Sequence, residues 1–189
     1  MDILSLNKQL QNNTTTISVA TYTSPLGEMF LGAVDKGICL VEFHDRIRLE
    51  ETLLALAKNL NAQFVEDEHK HHFNLKNELD LYFQQKLQQF TIPLVLTGTE
   101  FQQRVFQSLI DIPFGNTSTY KKQATLLGDV KAIRAVATAN GLNKIAIVVP
   151  CHRIIGSDGS MVGYAGGIHR KKALLQLEGA LPQNQLALF

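Results

Sequence analysis

The sequence predicts an α+β protein: a small mixed or antiparallel sheet with flanking helices over residues 1–95, a mainly helical unit over 99–180, and a tail at 181–189. Three observations predict it. Short apolar runs alternate with glycine-bearing turns before residue 45, apolar residues recur at helical spacing after it, and a run broken by Pro93 and closed by Gly98 separates the halves. Hydrophobic residues make up 45% and charged residues 19%, which excludes a disordered, collagen-like or coiled-coil chain. No apolar stretch approaches the ~20 residues of a membrane-spanning helix, and the N-terminus has no signal-peptide pattern. A cytoplasmic protein with no membrane partner is expected. Cys39 and Cys151 are the two cysteines, too few for a disulfide framework.

The strands are read at Ile17–Thr23, Glu28–Val34 and Ile38–Phe43, joined through Ser24-Pro25-Leu26-Gly27 and a hairpin turn at Asp35-Lys36-Gly37. Leu49, Leu53, Leu54, Leu56 and Leu60 then recur at roughly helical spacing, and Leu79, Leu81, Tyr82 and Phe83 mark a second helix over about 74–87. Between them, the acidic, histidine-rich run Glu66–His72 reads as a solvated loop. His69, His71 and His72 do not make four well-spaced ligands, so no required metal is expected. Residues 90–98 read as a short interrupted strand. Thr99 caps a helix over Glu100–Ile110 with Phe101, Val105, Phe106, Leu109 and Ile110 on one face. Two short helices follow, about 119–127 and 130–140, with Gly128 and Asp129 between them. That is helix-turn-helix spacing, which also occurs in many proteins that never touch nucleic acid. Ile145–Val149 reads as a strand running into Pro150-Cys151-His152-Arg153.

Charge is unevenly placed. Residues 120–172 hold nine Lys or Arg against two Asp, whereas the rest of the chain holds nine basic and fifteen acidic residues. Such a segment is either a face for a polyanion or a solvated basic surface. Cys151 is the candidate nucleophile, because an adjacent imidazole and cation can stabilise a thiolate. His152 and Arg153 supply them only if the backbone turns there, and an inert buried cysteine is the alternative. Cys39, mid-strand among Ile38, Leu40 and Val41, fits that inert description.

The segment from Asn143 through Pro150-Cys151-His152-Arg153 to Ile155, then Gly163-Tyr164-Ala165-Gly166-Gly167 and Leu177-Glu178-Gly179, closely resembles the O6-alkylguanine-DNA alkyltransferases. The likeness is strong over about 99–180, with Phe101-Gln102, Ile112-Pro113, Tyr120 and Ala132–Val136, and loose before residue 95. It implies a stoichiometric enzyme. Cys151 would take the alkyl group from O6-alkylguanine in duplex DNA, with O4-alkylthymine as a further candidate, in one turnover and with no cofactor. His152 would remove the thiol proton through a water, Glu178 would orient His152, and Tyr120 would donate its hydroxyl toward the base. Main-chain groups of Cys151, Ile154 and Ala165 would meet the base edge, Tyr164, Gly166 and Gly167 would wall the pocket, and Asn143 would tie the recognition helix to the active-site loop. The helix-turn-helix would be DNA-binding, its second helix in the minor groove, with Arg134 filling the gap left by the flipped nucleotide and Ala132 and Ala135 allowing close approach. A monomer is expected. The tail residues Gln185–Phe189 resemble the short peptide that docks on the bacterial sliding clamp, although an apolar terminus folded onto the core is an equal reading.

Overall fold

The computed structural model describes residues 2–10 and 14–182, so the tail peptide Gln185–Phe189 lies outside the described residues. A short 3-10 turn, Ile3–Gln9, precedes strands β1 (Thr15–Ser24), β2 (Gly27–Val34) and β3 (Gly37–Phe43). Helix α1 (Leu49–Leu60), strand β4 (Ala62–Glu66) and helix α2 (Lys70–Phe83) complete the first half. The second half holds α3 (Glu100–Ile110), β5 (Ser118–Thr119), α4 (Tyr120–Leu126), α5 (Ile133–Gly141), β6 (Ile154–Ile155) and α6 (Ile168–Leu177). Among the described residues no helix is long and apolar enough to cross a membrane, and no group of three or more His, Cys, Asp or Glu is placed to hold a metal.

The sheet order is β3-β2-β1-β4, antiparallel except for the parallel pair β1–β4. Register explains the two cores. Met29, Leu31, Val41 and Phe43 face α2 and the second half, where they join Leu75, Leu79, Tyr82, Val105 and Leu109. On the opposite face Ile17, Val19, Phe30 and Leu40 pack under Leu53, Leu56 and Ala57 of α1. The first core is continuous from the sheet into the helices, so the halves fold against one another.

Five readings need correction. Strand β4 was not foreseen; its run Ala62–Glu66 is short, with only Ala62 and Phe64 buried, and pairing with β1 rather than composition makes it a strand. The histidine-rich run is not a solvated loop, and the second helix begins and ends about four residues earlier than its spacing predicts. His69 caps α2, its ring accepting from the His71 N–H (3.3 Å) while the His72 ring accepts from the His69 N–H (3.2 Å), and His71 and His72 are buried. An imidazole nitrogen serves here in the place of a carboxylate or hydroxyl cap. Residues 90–98 form no strand: Pro93 has no N–H to give, and the segment makes one bridge, Leu94 to Ile38, through Ile38 N–H to Pro93 O (2.9 Å) and Val95 N–H to Ile38 O (2.8 Å). Residues 145–149 also make a single bridge, Ile145 to Val41, before winding into turns.

The capped start of α3 and the two short helices after it match the sequence reading. Thr99 and Gln102 form the capping box that starts α3. Buried Gln123 then ties the helices together, donating to Val105 O (3.3 Å) and Ser108 Oγ (2.9 Å) while accepting from Asn140 Nδ2 (2.7 Å). With a 3-10 turn at Val130–Ala132 leading into α5, the second short helix stands fixed against the first.

Candidate active site

The position of Cys151 starts with a wound apolar segment. Val148 N–H bonds Ala146 O and Val149 N–H bonds Ile145 O (both 2.9 Å), a winding in which Ile147 adopts φ 72°. A β-branched residue in the left-handed region costs roughly 1–3 kcal/mol and persists only where packing over-determines it. Packing does so here, since Ile147 and Val149 expose no surface. The turn delivers Pro150 and a 3-10 turn, Cys151–Arg153, whose successive side chains are fanned by about a third of a turn. Neighbours in sequence therefore reach different partners.

Cys151 is half-buried and meets Asn143, whose Nδ2 donates to Sγ (3.2 Å) and to Val149 O (2.8 Å) while its Oδ1 accepts from Ile145 N–H (3.0 Å). Burial pushes the thiol up to about 11; the Asn143 N–H opposes that rise and the charge of Glu42 adds to it. The expectation of a resting thiolate favoured by His152 and Arg153 is thus corrected. Arg153 is turned away: Nε donates to Glu178 Oε2 (2.8 Å), Nη2 to Glu178 Oε1 (2.9 Å), and Nη1 to Ile112 O (2.5 Å).

His152 is fully buried, with Nε2 2.8 Å from Glu178 Oε1. Burial would raise the Glu178 carboxyl, but the hydrogen bonds and charges of His152 and Arg153 outweigh it and hold the group at about 2. Burial in turn lowers His152 below the ordinary histidine value, against the pull of Glu178. An ionised carboxylate only accepts, so Nε2 carries the ring's proton and a neutral ring leaves Nδ1 as a bare acceptor. That Nδ1 is buried and has no hydrogen-bond partner among the described residues. Glu178 itself caps the C-terminal end of α6, where a helix dipole disfavours negative charge; Arg153 compensates.

A cleft of about 830 Å³ opens between the halves, lined by Tyr120, Gly163, Tyr164 and Ala165 on one side and by Arg46 and Thr138 among others. Tyr120 donates to Val162 O (3.2 Å) and Gly163 O (3.4 Å), and burial, followed by the nearby Cys151, keeps its phenol protonated. Gly163 has φ 61°, and a side chain there would meet the Tyr120 hydroxyl at 2.9 Å. Gly166 lets Tyr164 and Phe43 close in, each 2.9 Å from where a Cβ would stand. Ile154 stands apart from this wall: it is fully buried, and its carbonyl accepts from Lys171 Nζ (2.5 Å).

Lys171 is the residue the sequence reading missed. It is fully buried, it also donates to Val162 O (2.7 Å), and burial lowers it to about 8 against the opposing effect of Cys151. Within the run Arg170-Lys171-Lys172 it looks like surface charge, yet Lys171, Leu174, Leu175 and Glu178 share the buried stripe of α6. That spacing is the signal that could have found it. The same burial reshapes the basic segment. Lys144, Arg153, Arg170 and Lys171 are internal, leaving Lys121, Lys122, Lys131 and Arg134 exposed on α4, the connecting turn and α5. Arg134 stands on the outer side of α5 with Ala135 exposed and Ala132 half-buried beside it.

Comparison with known proteins gives a consistent picture. The family model described as 6-O-methylguanine DNA methyltransferase, ribonuclease-like domain, matches residues 17–96, and that described as its DNA binding domain matches 100–180. A methylated-DNA–protein-cysteine methyltransferase of Methanosarcina barkeri is 40% identical over 156 residues, 82% of this chain and 92% of its own. One of the same description from Mycobacterium tuberculosis is 50% identical over 113 residues, 60% of this chain and 68% of its own. The crystal structure of Mycobacterium tuberculosis OGT in complex with DNA superposes with a TM-score of 0.73 at 35% identity, covering 87% of this chain and 93% of that one.

Proposed function

The chain belongs to the 6-O-methylguanine DNA methyltransferase family, and on that premise we propose Cys151 as the cysteine that takes the alkyl group. The protein repairs O6-alkylguanine in DNA by methyl transfer to its own cysteine, one turnover per molecule. The observation that carries the assignment is the buried His152–Glu178 pair with an unpartnered Nδ1 in the residue next to Cys151.

The chemistry follows from the protonation states. A thiol near 11 and an imidazole below the ordinary histidine range cannot exchange a proton in advance of reaction, so deprotonation accompanies attack. Sγ bonds to the alkyl carbon as the carbon–O6 bond breaks. The thiol proton passes through a bridging water to His152 Nδ1, and Glu178 stabilises the imidazolium through Nε2–H. The electrons of the broken bond go to the purine, which takes one proton from the Tyr120 hydroxyl and leaves as neutral guanine. The thiol proton held on His152 then returns through water to the phenolate, so the net transfer is one proton from sulfur to base. Tyr120, released from Val162 O, donates its hydroxyl to the base, while Tyr164, Gly166 and the main chain of Cys151 and Ala165 enclose it. The expected Ile154 contact is withdrawn, because its carbonyl accepts from Lys171 and its N–H donates to Cys151 O. Asn143 holds Sγ in line.

The partner is duplex DNA, approached through Lys121, Lys122, Lys131 and the α5 helix, with Ala132 and Ala135 lying close to the backbone. Extruding the nucleotide costs a few kcal/mol, and Arg134 fills the gap. The division into a supporting unit at 1–95 and a DNA-binding, alkyl-accepting unit at 99–180 is supported by the Thr99 cap and by the separate family matches. A cytoplasmic monomer working without cofactor fits this reading. Gln185–Phe189 is proposed as a sliding-clamp peptide; deleting it should abolish clamp binding, and unchanged affinity would remove the idea.

Incubation with O6-methylguanine duplex and weighing of the intact protein tests the central claim. A gain of about one methylene (~14 Da), mapped to the peptide holding Cys151, is expected. Binding with no gain would make the protein a recognition module, and repeated product release would make it a hydrolase.

A further inference from the structure

A side chain from the sheet half completes the His152–Glu178 pair of the helical half. Tyr82, on α2, is fully buried, and its hydroxyl donates to Glu178 Oε1 at 2.7 Å, the same oxygen that meets His152 Nε2. We propose that Tyr82 is a positioning residue for alkyl transfer, fixing the carboxylate on which the tautomer and orientation of His152 depend. This rests on the His152–Glu178 roles proposed above.

The hydroxyl is not needed for packing. The Tyr82 ring sits against Phe83 and Phe90 (centroids 5.4 Å) and Phe114 (5.9 Å), contacts a phenylalanine would keep. Burying a hydroxyl there costs stability unless it is bonded, and its partner is Glu178.

Counting donors shows what the bond adds. Oε1 accepts from His152, Arg153 Nη2 and Tyr82; Oε2 accepts from Arg153 Nε and, at 3.4 Å, from Gly115 N–H. Arg153 fixes the plane of the carboxylate from one side. Tyr82 approaches from another element, so the carboxylate cannot pivot away from Nε2.

The same donor also tempers the carboxylate. Burial is what chiefly keeps His152 neutral; a hydrogen bond to Oε1 acts in the same direction, because it withdraws charge from the oxygen that would stabilise an imidazolium. The other groups acting on the pair are Arg153 and Lys171, which oppose an imidazolium, and Tyr164, a buried phenol edge-on to His152. Burial, reinforced by Glu178, keeps Tyr82 protonated, so it acts as a donor at any working pH.

The test uses the full chain with Tyr82→Phe, measuring single-turnover transfer from O6-methylguanine duplex between pH 5 and 8. The His152 titration is followed in parallel by nitrogen NMR of labelled histidine, and urea unfolding reports stability. Tyr82→Phe should slow transfer by about three- to tenfold and raise the acid limb and the His152 midpoint together by ~0.5–1 pH unit. Wild-type rate and midpoint would overturn the inference. So would a slower rate with an unmoved midpoint, which describes a structural brace. Glu178→Gln separates the two readings. If it transfers at the wild-type rate, the base assignment fails and this inference with it; if it is slow while Tyr82→Phe matches wild type, this inference alone falls.

Discussion

Cys39 and Cys151 are both thiols that burial pushes up, to about 12 and about 11, yet their surroundings differ in every other respect. Cys39 lies within β3, fully buried in one core with Ile17, Leu40 and Leu53, and its Sγ donates to the Gly32 carbonyl (3.5 Å). Cys151 keeps exposed surface, has an N–H donor on its sulfur, and is followed by a histidine locked to a carboxylate. Resting acidity therefore does not distinguish the proposed nucleophile from the other thiol. The pairing of the adjacent His152 with Glu178 and the surface that Cys151 keeps exposed do.

The strongest way to break this comparison is Cys151→Ala, which should abolish the mass gain with O6-methylguanine duplex completely. If Cys39 acquired the alkyl group instead, the contrast drawn here would be wrong.

Next in size is the proton acceptor. Glu178→Gln should slow single-turnover transfer by about 10²–10³-fold and leave Arg153 buried without its counter-charge, at a cost of roughly 3–5 kcal/mol. The same group makes a pH prediction. Its folded value of about 2 lies below the ordinary 4.5, so its contribution is fully present above pH 4.5 and is lost as pH falls toward 2. The amount is about 3 kcal/mol. Urea midpoints between pH 5 and pH 2 should therefore fall more steeply for wild type than for Glu178→Gln.

The route for substrate is tested by Arg134→Ala. Repair in duplex should slow by about 10–100-fold, because the flipped state loses its plug, while reaction with the free O6-methylguanine base should be unchanged. Equal losses on both would refute the role. The smallest effect belongs to Cys39→Ala: an unchanged transfer rate, with about 1 kcal/mol of stability lost to the small cavity, read by urea unfolding.

Much of the fold was legible because its signals are local. The three strands are short apolar runs set off by glycine-bearing turns, and Thr99 announces α3 within one turn. The cysteine signature and the glycines after it carried the resemblance, and with it the roles proposed for Cys151, His152, Glu178, Tyr120 and Arg134. What failed was local pattern without its partner. Ile145–Val149 looks like a strand, but only one bridge to Val41 is available and Ile147 turns the chain. Lys171 resembled surface charge until α6 was packed, and Arg153 was read as the thiol's cation until the 3-10 turn pointed it at Glu178.

The first three strands, the Thr99 cap of α3, the proposed nucleophile and the arginine of α5 were written in the chain itself, since each depends on spacings of a few residues. Contacts between distant elements were decided elsewhere. Tyr82 and Glu178 are separated by 96 residues and meet because the sheet and the helices share one core. No periodicity encodes such a meeting, and it required the folded packing to place a phenol, a guanidinium and an imidazole around one buried carboxylate.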